Sequence, residues 1–133
     1  MDIPVELFIR TERIGPVDAL RQYVRRRLSF ALRPFEHQIR HVRVRLIDVN
    51  GPRKGVDSRC SITADLTEGR RLFVDAMSAW PFAAVTQAAR RLNEAARREL
   101  ARRSARRAAS ATALRQRFEG RTREIRNEHA ARR

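Results

Sequence analysis

The apolar residues between Val5 and Leu100 follow two rhythms, and the order of those rhythms leaves few folds open. Val5, Leu7 and Ile9 alternate with other residues, the pattern of a strand over Val5 to Arg10. Gly15-Pro16 then punctuates the chain, and Pro16 suits the opening of a helix. From there Val17, Leu20, Val24, Leu28 and Ala31 recur at spacings of three and four, one apolar stripe on a helix of roughly 15–18 residues. Arg33-Pro34 ends it, because a residue preceding proline disfavours the helical region.

The rhythm returns to two in His41 to Asn50, with Val42, Val44 and Leu46 on one face and Arg43, Arg45 and Ile47 on the other. Asn50 to Gly55 is a loop by composition. Ser58 to Leu66 alternates again through Cys60, Ile62, Ala64 and Leu66. Thr67-Glu68-Gly69-Arg70 reads as a hairpin turn, and Arg71 to Met77 as the returning strand.

A second helix opens over Ser78 to Pro81, with Ser78 as candidate N-cap and Pro81 in the first turn. Phe82, Val85, Ala89, Leu92, Ala96 and Leu100 fall within about 80° of a helical wheel, with Arg90, Arg91, Arg97 and Arg98 on the far side. Past Leu100 the stripe ends, since Arg103 and Arg107 would occupy the apolar side. The order is β-α-β-β-β-α. Hairpin-linked strands and two amphipathic helices predict an α+β two-layer sandwich, with both helices on one face of a mostly antiparallel sheet. Residues 1–107 are expected to form this domain. Residues 108–133 are expected to be a basic tail, disordered or a short helix carrying Leu114, Phe118 and Ile125.

Charge then says what such a fold is for. The chain of 133 residues has a formal net charge of +15. Residues 81–133 alone carry 15 arginines against 5 glutamates. Repulsion of this size opposes compaction, so the surplus calls for a polyanionic partner. Guanidinium suits phosphate because it makes planar, bidentate contacts. If both helices cover one sheet face, their outer sides form a common surface bearing Arg21, Arg25, Arg26, Arg90, Arg91, Arg97 and Arg98. Arg27 lies on the flank near Tyr23, and Arg102 continues the second helix. Aromatics do not alternate with arginines along the chain, so phosphate and shape recognition of folded RNA is expected rather than base stacking.

Other chemistries find little support. No run approaches the ~20 apolar residues of a membrane span, and the first ten residues lack a signal-peptide pattern. A cytoplasmic protein is expected. His37, His41 and His129 have no ligand-spaced partners, so no metal or cofactor is implied. Cys60 reads as a small buried hydrophobe rather than a nucleophile. Asp48 and Asp57 flank the loop as turn caps or partners of Arg53 or Arg59. Trp80 is expected to anchor the second helix against the sheet, and Tyr23 and Phe30 to edge the core. An enzyme is not indicated, nor is a small-molecule substrate.

Three segments carry a family resemblance. Asp18-Ala19-Leu20-Arg21-Gln22-Tyr23-Val24, closing with Arg27-Leu28, resembles the first helix of the ribosome hibernation-promoting factor family, also called ribosome-associated translation inhibitors or sigma-54 modulation proteins. Arg33-Pro34-Phe35-Glu36-His37-Gln38-Ile39 resembles that family's lead into its second strand. Phe82-Ala83-Ala84-Val85, with Leu92, is similar to the start of its second helix. The likeness covers roughly residues 3–106. It implies a fold similar to double-stranded-RNA-binding domains. It also implies binding to ribosomal RNA of the small ribosomal subunit, where the protein would block the messenger and transfer RNA sites, silence translation and store ribosomes under stress. Arg27, Arg91 and Arg98 match basic positions of the family. Glu94 and Trp80-Pro81 depart from its pattern. Residues 108–133 are too short and polar for the domain of the family's long form, so a short form is implied. The alternatives are a general double-stranded RNA binder not tied to ribosomes and a protein-binding module acting through the tail.

Overall fold

A computed structural model describes residues 5–50 and 57–131, with side chains described as far as Thr122. Most of the expected 50–55 loop, with Arg53, and the side chain of Ile125 lie outside the described residues. The chain divides into two compact units, Met1–Ala96 and Arg97–Arg133.

In the first unit, β1 (Glu6–Glu12), α1 (Val17–Leu32), β2 (Ile39–Asp48), β3 (Ser58–Leu66) and β4 (Arg71–Ser78) follow in the predicted order. They make one four-stranded sheet, β1-β2-β3-β4. β1 runs parallel to β2, as a helical crossover requires, and the remaining pairs are antiparallel. Between α1 and β2 the chain makes a 3-10 turn, Arg33–Gln38, which sinks Phe35 into the core. The β3–β4 hairpin turns through Gly69 at φ +85°, a left-handed conformation that a side chain would strain.

Alternation decides which sheet face is covered. Val42, Val44, Leu46, Cys60, Ile62 and Ala64 are each at most 2% exposed, while Arg43, Arg45 and Arg59 between them are exposed. Leu20, Val24 and Leu28 of α1 are fully buried, as the stripe predicted. The last helix, α2 (Pro81–Ala131), contributes Ala84, Val85, Ala88, Ala89, Leu92 and Ala96 within this unit. Alanines at these positions let the helix backbone approach closely.

Both helices lie on that face, because they touch one another. Tyr23 Oη is 2.6 Å from Thr86 Oγ1, the Tyr23 and Phe82 rings meet edge-on at 5.2 Å, and Asn93 Nδ2 donates to the Ala31 carbonyl at 2.7 Å. The last contact ties α2 to an end of α1 whose carbonyls lack intrahelical donors.

Several local expectations need correcting. Ser78 ends β4 instead of capping α2, and its hydroxyl accepts from the Trp80 N–H at 3.3 Å. Trp80 stands immediately before Pro81 and is 66% exposed, so it anchors nothing against the sheet. Phe30 is 77% exposed and lies outside the core edge that Tyr23 occupies. Arg59 pairs with Asp75, not Asp57; Asp57 accepts from Asn50 Nδ2 at 2.8 Å, and Asp48 caps the same turn.

In the second unit the helix continues without a break through the 107/108 boundary expected from sequence, as far as Ala131. Its one buried carboxylate among the described residues is Glu99, 1% exposed, with Arg102 at 3.1 Å, Arg106 at 3.5 Å and the buried Arg103 at 3.7 Å. Leu114 and Phe118, one turn apart, are exposed.

Candidate nucleic-acid interface

Helical geometry and the three interhelical contacts together place the arginines. On α1, Tyr23, Arg27 and Ala31 recur every fourth residue and share one side. On α2, Thr86, Arg90 and Asn93, spaced by four and then three, likewise share one side. Tyr23 meets Thr86, and Ala31 meets Asn93. The helices therefore run in the same direction, and Arg27 comes level with Arg90 across the seam between them. Arg26 adjoins that seam on its solvent side, with its guanidinium 6.0 Å from the Tyr23 ring centre. A positive strip, Arg26, Arg27 and Arg90, follows the seam.

Among the described residues, no carboxylate pairs with Arg21, Arg25, Arg26, Arg27 or Arg90. Arg27 is half-buried, and its Nε is sealed from solvent with no hydrogen-bond acceptor. A buried donor without a partner is costly unless a ligand supplies one. Arg25 is exposed and Arg21 half-buried, both on the flank of α1 that faces away from α2. Arg91 points to the other side of α2 from the seam, where its guanidinium donates to the Asp75 carbonyl of β4. The common surface expected from sequence is thus split: Arg26, Arg27 and Arg90 come together, while Arg21, Arg25 and Arg91 lie on outer flanks.

In the second unit Arg97 and Arg98 are exposed with no carboxylate partner among the described residues. Arg102 is exposed too, but the Glu99 carboxylate already holds it. The sequence reading did not anticipate Glu99. Its only signal was a carboxylate three, four and seven residues before arginines, which recurs wherever a chain is this basic.

The open face of the sheet differs from the seam. Its arginines are paired: Arg45 with Glu12 at 3.0 Å, Arg43 and Arg71 with Asp65 at 3.2 and 2.6 Å, and Arg59 with Asp75 at 2.6 Å. Hydrogen bonds from Arg71 and from Arg45 hold the Asp65 and Glu12 carboxyls below their ordinary range. Cys60 lies on the opposite, buried face, and desolvation pushes its thiol up to about 12. At neutral pH it is an unreactive thiol, as its strand position suggested. Among the described residues no cluster of His, Cys, Asp and Glu could hold a metal ion, and no helix is long and apolar enough to cross a membrane.

A family model described as sigma 54 modulation protein / S30EA ribosomal protein matches residues 7–104. The chain belongs to this family. The match includes α1, all of the sheet except Glu6, and the start of α2. Among solved structures, the N-terminal domain of Thermus thermophilus Protein Y is similar at 28% identity and a TM-score of 0.55, over 74% of this chain and 98% of that one. A ribosomal subunit interface protein from Coxiella burnetii shares the fold at 13% identity and a TM-score of 0.63, over 73% of this chain and 99% of its own. No curated protein matches. Membership agrees with the resemblance carried by Asp18 to Leu28 and by Phe82 to Val85, and it makes this a chain of a ribosome-associated, non-enzymatic family.

Proposed function

We propose that this protein is a ribosome hibernation factor. It binds the small ribosomal subunit in the cytoplasm through ribosomal RNA phosphates, and it silences translation by occupying space that messenger and transfer RNA need. The observation that carries this reading is the seam. Three guanidiniums gather along it with no carboxylate partner among the described residues, and one keeps a buried donor unsatisfied. Phosphate oxygens accept from such donors, and each phosphate neutralised releases counterions. Arg21 and Arg25 on one side and Arg91 on the other widen the footprint. Arg97, Arg98 and Arg102 of the second unit supply further phosphate contacts, with Arg102 the weakest contributor because Glu99 competes for it. Residues 1–107 are the ribosome-binding part and residues 108–133 an accessory basic segment.

The test is co-sedimentation of the full chain with purified small subunits across a salt series. Arg26→Glu combined with Arg90→Glu, both at exposed positions, should abolish binding at moderate salt. Unchanged binding removes the seam from the model. A duplex RNA competitor at equal phosphate concentration should fail to displace the protein; displacement would make it a general double-stranded RNA binder.

A further inference from the structure

The sheet face turned away from the helices carries an arrangement that the linear sequence hides. Strand register aligns Phe8 of β1 with Arg43 of β2, Arg43 with Thr63 of β3, and Thr63 with Phe73 of β4. These four residues form one row across the whole sheet, aromatic at both ends and cationic within. Phe8 is 56% and Phe73 61% exposed. Strands lie about 4.8 Å apart, so the two rings stand roughly 14 Å from each other. Between them is a shallow concavity of about 760 Å³.

Its charge selects the occupant. Among the described residues five arginines line it, and no carboxylate does. Three carboxylates, Glu12, Asp65 and Asp75, pair with those arginines. Positive charge is in excess, and each guanidinium has five donors, more than its one carboxylate partner uses. Exposed ion pairs of this sort are weak and exchange readily for another anion. Exposed flat rings beside cations in excess match the two chemistries of a nucleotide, its base and its phosphate. A paired duplex would offer only the phosphates, since its bases are stacked inside.

We propose that this open sheet face binds a short segment of single-stranded RNA, two of whose bases stack on Phe8 and Phe73 while Arg43 and its neighbours hold the intervening phosphates. The bases are not consecutive, because the span between the rings leaves room for nucleotides lying over Arg43 and Thr63. This surface lies on the opposite side of the sheet from the helix seam and does not depend on it. The protein would thus hold folded RNA by its helices and an unpaired strand by its sheet.

Fluorescence anisotropy of the full chain tests this, using a labelled single-stranded oligouridine of about ten nucleotides and a duplex of equal phosphate count. Phe8→Leu and Phe73→Leu keep an apolar side chain but remove the ring. Each should weaken single-strand binding by about ten-fold and leave the salt slope and duplex binding unaltered. Phe8→Tyr and Phe73→Tyr should bind as the parent does. Leucine variants that bind the single strand like the parent overturn the proposal. So does a self-associated species in sedimentation velocity that the leucine variants dissolve, which would assign the face to a second copy of the chain. Crosslinking the unsubstituted protein to a 4-thiouridine oligonucleotide gives a readout that no folding defect can confuse. Adducts on β1 and β4 support the proposal, and adducts confined to the helices overturn it. Loss of subunit binding in the Arg26→Glu, Arg90→Glu protein concerns only the seam, so the two readings fail separately.

Discussion

The hydrogen bond between Tyr23 and Thr86 sets the spacing of the two arginine-bearing helices, and a double-mutant cycle can measure it. Thr86 Oγ1 donates to the Phe82 carbonyl at 3.0 Å, so its single proton is already committed. Tyr23 must therefore be the donor across the 2.6 Å contact. Tyr23→Phe removes that donor and strands no other, and should cost about 1 kcal/mol. Thr86→Val leaves the part-buried Tyr23 hydroxyl without its acceptor, and should cost about 1–3 kcal/mol. With both substituted, no polar group remains to be orphaned, so the double variant should be more stable than additivity predicts by about 1 kcal/mol. The Tyr23–Phe82 ring contact persists in all four proteins, which isolates the hydroxyl. Urea unfolding followed by circular dichroism reads the cycle. At an m-value of about 2 kcal/mol per molar, 1 kcal/mol moves the midpoint by about 0.5 M. A coupling below about 0.3 kcal/mol would refute the reasoning, because the Tyr23–Thr86 hydrogen bond would then contribute nothing measurable to holding the helices together. Tyr23→Phe should leave ribosome binding intact, since the ring beneath Arg26 is retained.

Further expectations concern the core and the ionisable groups. Leu92→Ala empties a site that is 0% exposed and should cost about 3 kcal/mol in the same unfolding assay. Glu99→Gln removes the buried carboxylate charge that faces Arg103 at 3.7 Å, which should cost about 3–5 kcal/mol and lower the thermal midpoint clearly. The Cys60 thiol is raised from 9.0 to about 12 in the folded chain, so its stabilisation is complete below pH 9 and lost as pH climbs toward 12. Native protein should accordingly resist a thiol reagent at pH 8 and react fully in urea. Asp65 and Glu12 are shifted down, so their contribution is present at neutral pH and fades as pH falls below the ordinary carboxylate range; acid titration of the unfolding midpoint checks the sign.

Much of this architecture is local information. A spacing of two or of three-and-four is a property of ten neighbouring residues, which is why α1 begins at Val17 and stops before Arg33-Pro34, and why β3 occupies Ser58–Leu66, as the pattern alone indicates. The family likeness is equally local, carried by Asp18 to Leu28 and Phe82 to Val85. Errors arose where a residue's fate depends on what lies opposite. Trp80 and Phe30 have the composition of core residues, yet neither meets a packing partner that covers it. Glu99 looks like one more surface glutamate but is buried among arginines.

The linear chain therefore settled the element order, the core stripes and the surplus of cations seeking an anion. Only the folded chain decided which cations act together. Arg90 and Arg91 are neighbours in sequence, yet one joins Arg27 at the helix seam while the other reaches β4. Phe8 and Phe73 are far apart in the chain and end up in one row with Arg43. Periodicity is written in short stretches of chain, whereas strand register and helix adjacency come from contacts between distant segments, which no window of sequence contains.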